Sequence, residues 1–449
     1  MFPPPHNPCV FKRLDCTIEI RHGNCGENRV NTRVDERIRR TTMYKMLRQQ
    51  SEILNESVVR FAQHLVRVPS VSLNERAIAA LVEQQMKKVG YDKVLRDDYG
   101  NVIGILFGYD SDRSVLLNSH MDTVPPADPD SWSCNPYEGL IRDGLLYGLG
   151  STDCKGGLAA QVYAGALLKR SLLPLRGNVV VAATVAEENG RSVGVRGLMQ
   201  RTLPELGIKP SYAILGEPTG LGLYYGHDGW LEIEVRVEGT NPFQVEDAAG
   251  AIIGELHAGN GTAVGPEELT VRRPRFVDDN GFRRATIEMN RRLRSDEEVG
   301  CVLSQLKHNV STVAESSGPV AVDVLVREET QRLYNGQTTV VRHITNAWQT
   351  DPFHPLIDHA RDALAAAGCA KVHPGKWELG RLGMGTAGGV LTKEFNVPTV
   401  GYGPGIEEKA HVQDECVEVA KITEAVYGTT AIIHSLIGVP VFGWTSDEI

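Results

Sequence analysis

The side chains best suited to chemistry fall in five short segments: His120-Met121-Asp122, Asp153 within Ser-Thr-Asp-Cys-Lys-Gly-Gly, Glu187-Glu188-Asn189, Glu217 within Gly-Glu-Pro-Thr, and His411 within Ala-His-Val-Gln-Asp-Glu. Imidazole and carboxylate are the ligands that a hard or borderline dication takes. His120 and Asp122 are two apart, so the carboxylate can fix the tautomer and orientation of the ring. Asp153 precedes Lys155-Gly156-Gly157, whose glycines permit a tight turn, and its two oxygens can bridge two metals. Glu187 and Glu188 are adjacent at a strand end, so their side chains diverge. One can bind metal while the other holds an attacking water, because water on a dication has a pKa near about 7 and needs only a carboxylate as base.

Taken singly, each segment has a plainer reading. A lone strand-end histidine is usually packed or solvated, and a Glu-Glu pair usually lies on a solvated edge. Together the plain readings lose force. Glu187-Glu188 directly follows the apolar run Val179 to Ala186, where a buried strand has no other reason to end in two charges.

The elements that must position these groups alternate between strand and helix from Ser57 onward. Asn74 to Val89 has helical period, with Ile78, Leu81, Val82 and Met86 on one stripe. Val115 to Leu117 is a short strand leading into His120, and Lys155 to Leu172 is a long helix. Asn178 to Ala186 and Tyr212 to Leu215 read as buried parallel strands. This alternation predicts an α/β sheet covered on both faces, with ligand-bearing turns at the carboxyl ends of strands. At Gly229 the pattern changes: Leu231 to Val237 alternates apolar and charged, as in a half-exposed antiparallel strand. A helix over Val245 to His257, a strand over Ala285 to Arg294, a helix over Ser295 to Val313 and a strand over Val320 to Val326 follow. After Asn346 the first pattern returns, with a helix over Pro355 to Ala367, a strand over Val397 to Tyr402 and a helix over Val417 to Leu436. A smaller α+β domain is inserted in a larger α/β one.

The chain has 449 residues, 47 Lys+Arg against 56 Asp+Glu and a net charge of −9. That balance disfavours nucleic acid and acidic membrane surfaces as partners. No apolar run approaches the roughly 20 residues that span a bilayer. The eight cysteines contain no CxxC pair, which points to a reduced, cytoplasmic protein with buried thiols. Residues 1–42 are proline- and arginine-rich without helical period and read as an extension preceding the folded body.

The five segments, in this order, resemble the zinc-dependent superfamily of aminoacylase, carboxypeptidase-G, acetylornithine deacetylase and succinyl-diaminopimelate desuccinylase. The resemblance spans about Ser57 to Ile437. It implies a mixed, mainly parallel sheet with helices on both faces, carrying a ferredoxin-like lid and dimerisation domain. The catalytic domain is then 43–230 with 344–449, and the lid 231–343. Asp153 is implied to bridge two metals, with His120 and Glu217 completing one site and Glu188 and His411 the other. Glu187 is the implied general base, and Asp122 supports His120. One or two divalent ions are expected, zinc with manganese or cobalt as alternatives. Cys154 is a ligand by type, but its family position is non-ligating. The implied reaction is hydrolysis of a C–N bond in a small carboxylate-bearing amide, by a homodimer joined through the inserted domain. For substrate contacts the resemblance points to Gly385, Thr386 and Gly405, and the lid strand offers Arg292.

Two departures matter. Family members carry a lid histidine that stabilises the oxyanion, whereas here the segment reads Gly239-Thr-Asn-Pro-Phe-Gln-Val-Glu246. Losing one such donor costs about 3–4 kcal/mol, so Asn241, Gln244 and His343 are candidates to replace it. The substrate loop also reads Gly385-Thr386-Ala387-Gly388, without the usual acid. Both departures suit a second reading, hydrolytic deamination of an aromatic amine carboxylate, as in the 5-nitroanthranilate aminohydrolase branch. A third reading, an inactive binding protein, is opposed by the intact Glu187 and ligand set.

Overall fold

The computed structural model describes residues 28–110, 113–189, 191–258, 269–279, 281–369 and 380–439. The chain divides into two compact units, Met1–Met43 and Tyr44–Ile449. Of the extension expected over residues 1–42, residues 1–27 lie outside the described residues, including Cys9, Cys16 and Cys25. From Asn28 the backbone is helical, where the sequence reading found no period. Val30, Val34 and Ile38 stand four apart in the sequence, a short helical signal that the surrounding arginines and acids obscured.

In chain order, α1 (Asn28–Val66) and α2 (Arg76–Val89) precede β1 (Lys93–Arg96), β2 (Val102–Leu106) and β3 (Ser114–His120), and α3 (Gly156–Ser171), β4 (Asn178–Thr184) and β5 (Tyr212–Leu215) follow. A second layer holds β6 (Gly229–Gly239), α4 (Pro242–His257), β7 (Leu269–Val271), β8 (Arg275–Asp279), β9 (Phe282–Leu293), α5 (Val299–Ala314) and β10 (Ala321–Val326). A hairpin of β11 (Glu328–Arg332) and β12 (Thr338–Arg342) leads back to the first layer, which ends with α6 (Pro355–Ala367), β13 (Thr399–Gly401) and α7 (Val419–Ile437).

The first sheet has the order β1-β2-β4-β3-β5-β13. β4, β3, β5 and β13 run parallel, while β2 and β1 form an antiparallel edge. β3 and β4 are buried along their whole length, which is why they read as continuous apolar runs. On one face Ile105, Leu116, Val180 and Leu215 pack against Val195, Leu198, Trp348 and Leu391. On the other, α3 packs on β3 and α7, and α7 on α6. The second sheet has the order β7-β9-β6-β10, with β8 also on β9. Its alternation follows from having one covered face: Leu231, Ile233, Val235 and Val237 of β6 are buried with Ile287, Val245, Ile252, Leu306 and Val310. Each such side chain contributes about 1.5–3 kcal/mol of burial. Asn241 starts α4 by accepting the Phe243 N–H, with Pro242 in the first turn.

Register places the site. His120 pairs with Thr184, and Asn118 with Leu215. The chain therefore leaves β3, β4 and β5 side by side at one sheet edge, carrying Asp122, Glu187-Glu188 and Glu217. The start of α3 presses on the Glu217 turn so closely that a Cβ on Gly157 would lie 1.8 Å from the Gly216 oxygen. No helix among the described residues is long and apolar enough to cross a membrane.

Candidate metal centre

Asp153 stands between the two histidines. Its Oδ1 is 3.1 Å from His120 Nε2 and its Oδ2 is 3.2 Å from His411 Nε2. His411 Nε2 is also 2.7 Å from Glu188 Oε1. Potential ligand atoms gather in two groups, each within 4.8 Å: His120, Asp153, Cys154 and Glu217, and Asp153, Glu188 and His411. All five residues expected as ligands are brought together. Cys154 joins them: its Sγ accepts the His120 N–H at 3.2 Å, and burial pushes its thiol up to about 12.

Asp122 acts differently from the expectation. His120 Nδ1 donates at 2.8 Å to the main-chain carbonyl of Asp122, while the carboxylate Oδ1 is 3.7 Å away. Two residues past the ring, the backbone oxygen is the nearer acceptor. The carboxylate instead accepts the N–H groups of Glu187 and Glu188, each at 3.1 Å, and the Ser72 hydroxyl at 2.7 Å.

The electrostatics call for cations. Burial raises Glu187 to about 8, with Glu188, Asp122 and Asp153 adding to the rise against the opposing pull of His120. Burial likewise lifts Glu217 well above the carboxylate range. Asp153 is lifted by burial too, but hydrogen bonds from His120 and His411 bring it below its ordinary value. Contacts with Asp153 and Glu188 raise His411 to about 11. The carboxylates thus draw protons into the cluster, and a divalent ion serves the same balance while releasing them. Asp153 Oδ2 is buried with no donor near it but the His411 ring, so the residues present fit such an ion.

Beside Glu187, Glu188 and His411 opens a cavity of about 170 Å³. Arg191, Ser192, Asn346 and Thr386 give it polar groups, and Trp230, Ile344, Met384 and Val390 an apolar wall. Of the expected substrate contacts, Gly385 and Thr386 line it. Gly405 does not: it lies behind the Asp153 turn, where a Cβ would come within 2.4 Å of the Thr152 oxygen. Arg292 is also outside the lining, held 2.7 Å from Asp228 with its guanidinium 5.9 Å above the Trp230 ring. None of the candidates to replace the lid histidine lines the cavity. Asn241 caps α4, Gln244 packs at Gly318, and His343 sits 3.2 Å from Glu232 and 3.3 Å from Glu329.

Sequence reasoning missed several residues around these groups. Ser192 donates its hydroxyl to Glu187 Oε1 at 3.1 Å. His227 is fully buried and accepts the Thr386 N–H at 2.8 Å. Its signal was a polar-aromatic run, His227-Asp228-Gly229-Trp230, just before an alternating strand. Glu75 and Glu415 lie buried behind the ligand turns. Ser72-Leu73-Asn74-Glu75 carries the spacing of a helix capping box, which hides Glu75 from a functional reading.

The profile of Peptidase family M20/M25/M40 matches residues 116–435. The uncharacterized protein YgeY of Escherichia coli strain K12 is 27% identical over 388 residues, covering 83% of this chain and 92% of its own. Succinyl-diaminopimelate desuccinylase 2 of Ruegeria sp. strain TM1040 is 32% identical over 189 residues, 40% of this chain and 47% of its own. Among solved structures, aminopeptidase PepT of Bacillus cereus superposes with a TM-score of 0.62 at 20% identity, over 85% of this chain and 98% of its own. YXEP of Bacillus subtilis, a dinuclear metal-binding peptidase of the M20 family, superposes with a TM-score of 0.61 at 16% identity, over 85% and 98%. These likenesses establish the fold, a catalytic α/β layer with an inserted lid. With the profile covering most of the chain, the protein belongs to peptidase family M20/M25/M40 and is a hydrolase acting on C–N bonds.

Proposed function

We propose that the protein hydrolyses the amide bond of a small carboxylate-bearing substrate, with two divalent ions held by His120, Asp153 and Glu217, and by Asp153, Glu188 and His411. The observation that carries this reading is Asp153, with one oxygen toward each histidine. When bound, the ions would polarise the scissile carbonyl and lower the pKa of water. Zinc fits this His and carboxylate set, with manganese or cobalt as alternatives. Glu187 is the general base. With Oε1 held by Ser192, its carboxylate takes a proton from the attacking water and passes it to the leaving nitrogen. Arg191, Asn346 and Thr386 offer donors to the substrate carboxylate, while Gly385 leaves room beside them. Residues 231–343 are the proposed lid and homodimer surface. The exposed strand β8, which among the described residues pairs only with β9, supports a role for that layer in assembly. The free thiols Cys134, Cys154, Cys301, Cys369 and Cys416 support a cytoplasmic setting.

Trp230, Ile344 and Val390 favour a second reading, deamination of an aminobenzoate-type substrate, because they give the cavity a flat apolar side. A panel of N-acyl amino acids, dipeptides and aminobenzoates, assayed with zinc, manganese or cobalt, separates the two. Turnover confined to aminobenzoates removes the amide reading. Glu187→Gln is expected to keep its metal and lose at least a hundredfold in kcat. Undiminished turnover in that variant rules out Glu187 as the base.

A further inference from the structure

Two buried glutamates outside the ligand groups face the backs of the ligand-bearing turns. Glu415 takes three backbone N–H groups from the turn that carries Asp153. Its Oε2 accepts from Gly150 at 2.9 Å, and its Oε1 accepts from Thr152 at 2.8 Å and from Asp153 at 3.1 Å. Glu75 serves the turn that carries Glu187 and Glu188. Its Oε1 accepts from Ala186 and from Leu73, each at 3.0 Å. Asp122 takes the next two N–H groups, and Ser72 Oγ accepts from Asn189 at 3.3 Å. Four consecutive N–H groups, from Ala186 to Asn189, therefore end on side-chain oxygens.

Such a turn cannot rotate its peptide planes without breaking bonds to ionisable acceptors, which are stronger than neutral ones. One residue needs that restraint in particular. Ala186 has φ +49°, a left-handed conformation that costs an alanine about 1–2 kcal/mol, and it is Ala186 that Glu75 holds. Neither glutamate belongs to the ligand groups or lines the cavity, so each acts through the turn it holds.

We propose that Glu75 and Glu415 are positioning residues that fix the two ligand-bearing turns in shape, so that Asp153, Glu187 and Glu188 stand in place before metal arrives. This rests on the reading that these turns hold divalent ions. The two glutamates differ in one testable respect. Glu415 uses both oxygens, so glutamine at 415 must set an NH2 group against a backbone N–H. Glu75 uses one, and its buried Oε2 has no hydrogen-bond partner. Glutamine at 75 keeps its carbonyl oxygen on Ala186 and Leu73 and puts the NH2 group where no donor opposes it.

The test is Zn(II) binding to the chelator-stripped full chain, with affinity read by chelator competition and folding by thermal melts. Wild type and Glu75→Gln are expected to bind two ions with dissociation constants within about threefold. Glu75→Leu and Glu415→Gln are expected to bind about 10–100-fold more weakly, the usual effect of removing a group that holds a ligand. A space-filling role predicts another pattern, in which melting temperature falls and metal affinity does not. Wild-type affinity in folded Glu75→Leu or Glu415→Gln overturns the proposal, as does equal weakening in Glu75→Gln and Glu75→Leu. If Glu415→Gln does not fold, the Glu75 pair decides. A wild-type chain that takes up no divalent ion overturns the metal reading and this proposal with it, whereas tight wild-type binding with unchanged variants overturns the proposal alone.

Discussion

The Asp122 carboxylate holds the backbone of Glu187, Oδ1 accepting its N–H at 3.1 Å. With its other oxygen on Glu188 at 3.1 Å, it ties the end of β3 to the turn after β4. The same residue steadies His120 through its main-chain carbonyl. One residue thus aligns a proposed ligand from one strand with the proposed general base and a proposed ligand from the next.

Replacing Asp122 by Asn separates these functions. The carbonyl bond to His120 survives, but an NH2 group now faces one of the two N–H donors. Zn(II) affinity and kcat are expected to fall about 10–100-fold, while the Nδ1–H tautomer of His120, read by 15N NMR, stays as in the wild type. A changed His120 tautomer would show that the carboxylate, rather than the carbonyl, orients the ring.

The sheet was legible, and with it the proposed ligands His120, Glu188 and Glu217, because these three follow strands whose apolar runs only burial explains. Val179 to Ala186 breaks at Glu187, and Val115 to Leu117 leads to His120. The supports were not legible, because sequence spacing does not say which oxygen of a residue is nearest. Asp122 reaches His120 with its backbone, and Arg292 on the half-exposed strand β9 is paired with Asp228, 64 positions away. Polar hairpins also leave little trace. β11 and β12 carry no apolar alternation, yet Tyr334 at their tip donates to the Gly100 carbonyl at 2.8 Å and anchors the hairpin to the first layer.

Ser192 holds Glu187 Oε1 at 3.1 Å and is only 4% exposed. A hydrogen bond to a charged group is worth about 1.5–3 kcal/mol. Ser192→Ala is therefore expected to lower kcat roughly tenfold or more, with KM and metal content unchanged. Steady-state kinetics on the best substrate from the panel decides. A higher KM at constant kcat would make Ser192 a substrate contact instead.

Arg191 lines the cavity and pairs with Glu232 on β6, whose other oxygen takes Arg327 at 2.7 Å. This cluster ties the segment after Glu188 to the inserted layer. Burial alone would raise the Glu232 carboxyl, but contacts with His343 and Arg191 outweigh it and bring it down to about 2. A carboxylate with a lowered folded pKa adds stability that is present above its unfolded value near 4.5 and lost as pH falls toward 2. Between pH 5 and 3 the melting temperature of Glu232→Gln should fall less than that of the wild type. A double-mutant cycle with Arg191→Met should give a coupling of about 1 kcal/mol. Additive single effects would mean that the two residues do not form a working latch.

His227 sets the loop that borders the cavity, and its protonation should release that loop. Nε2 accepts the Thr386 N–H at 2.8 Å and lies 2.9 Å from the Thr386 hydroxyl, so the ring proton is on Nδ1, which donates to the Asp228 carbonyl at 2.9 Å. A second proton on Nε2 would oppose the Thr386 N–H. Burial lowers the folded pKa from 6.5 to about 4. Between those values the unfolded chain binds the proton and the folded chain does not, so stability rises with pH through this window and falls on acidification. From about pH 6.5 to 5 the loss from this one ring is about 2 kcal/mol. His434, lowered by burial to about 4, adds a similar slope, so the difference between His227→Asn and the wild type isolates the first ring. Denaturant unfolding at pH 7 and pH 5 should find the variant less stable at pH 7 and the gap smaller at pH 5. KM of the wild type should stay level over the same interval, because the folded ring keeps Nε2 free for the Thr386 N–H until the pH nears about 4. A stability gap constant from pH 7 to 5 would place the His227 proton outside this window.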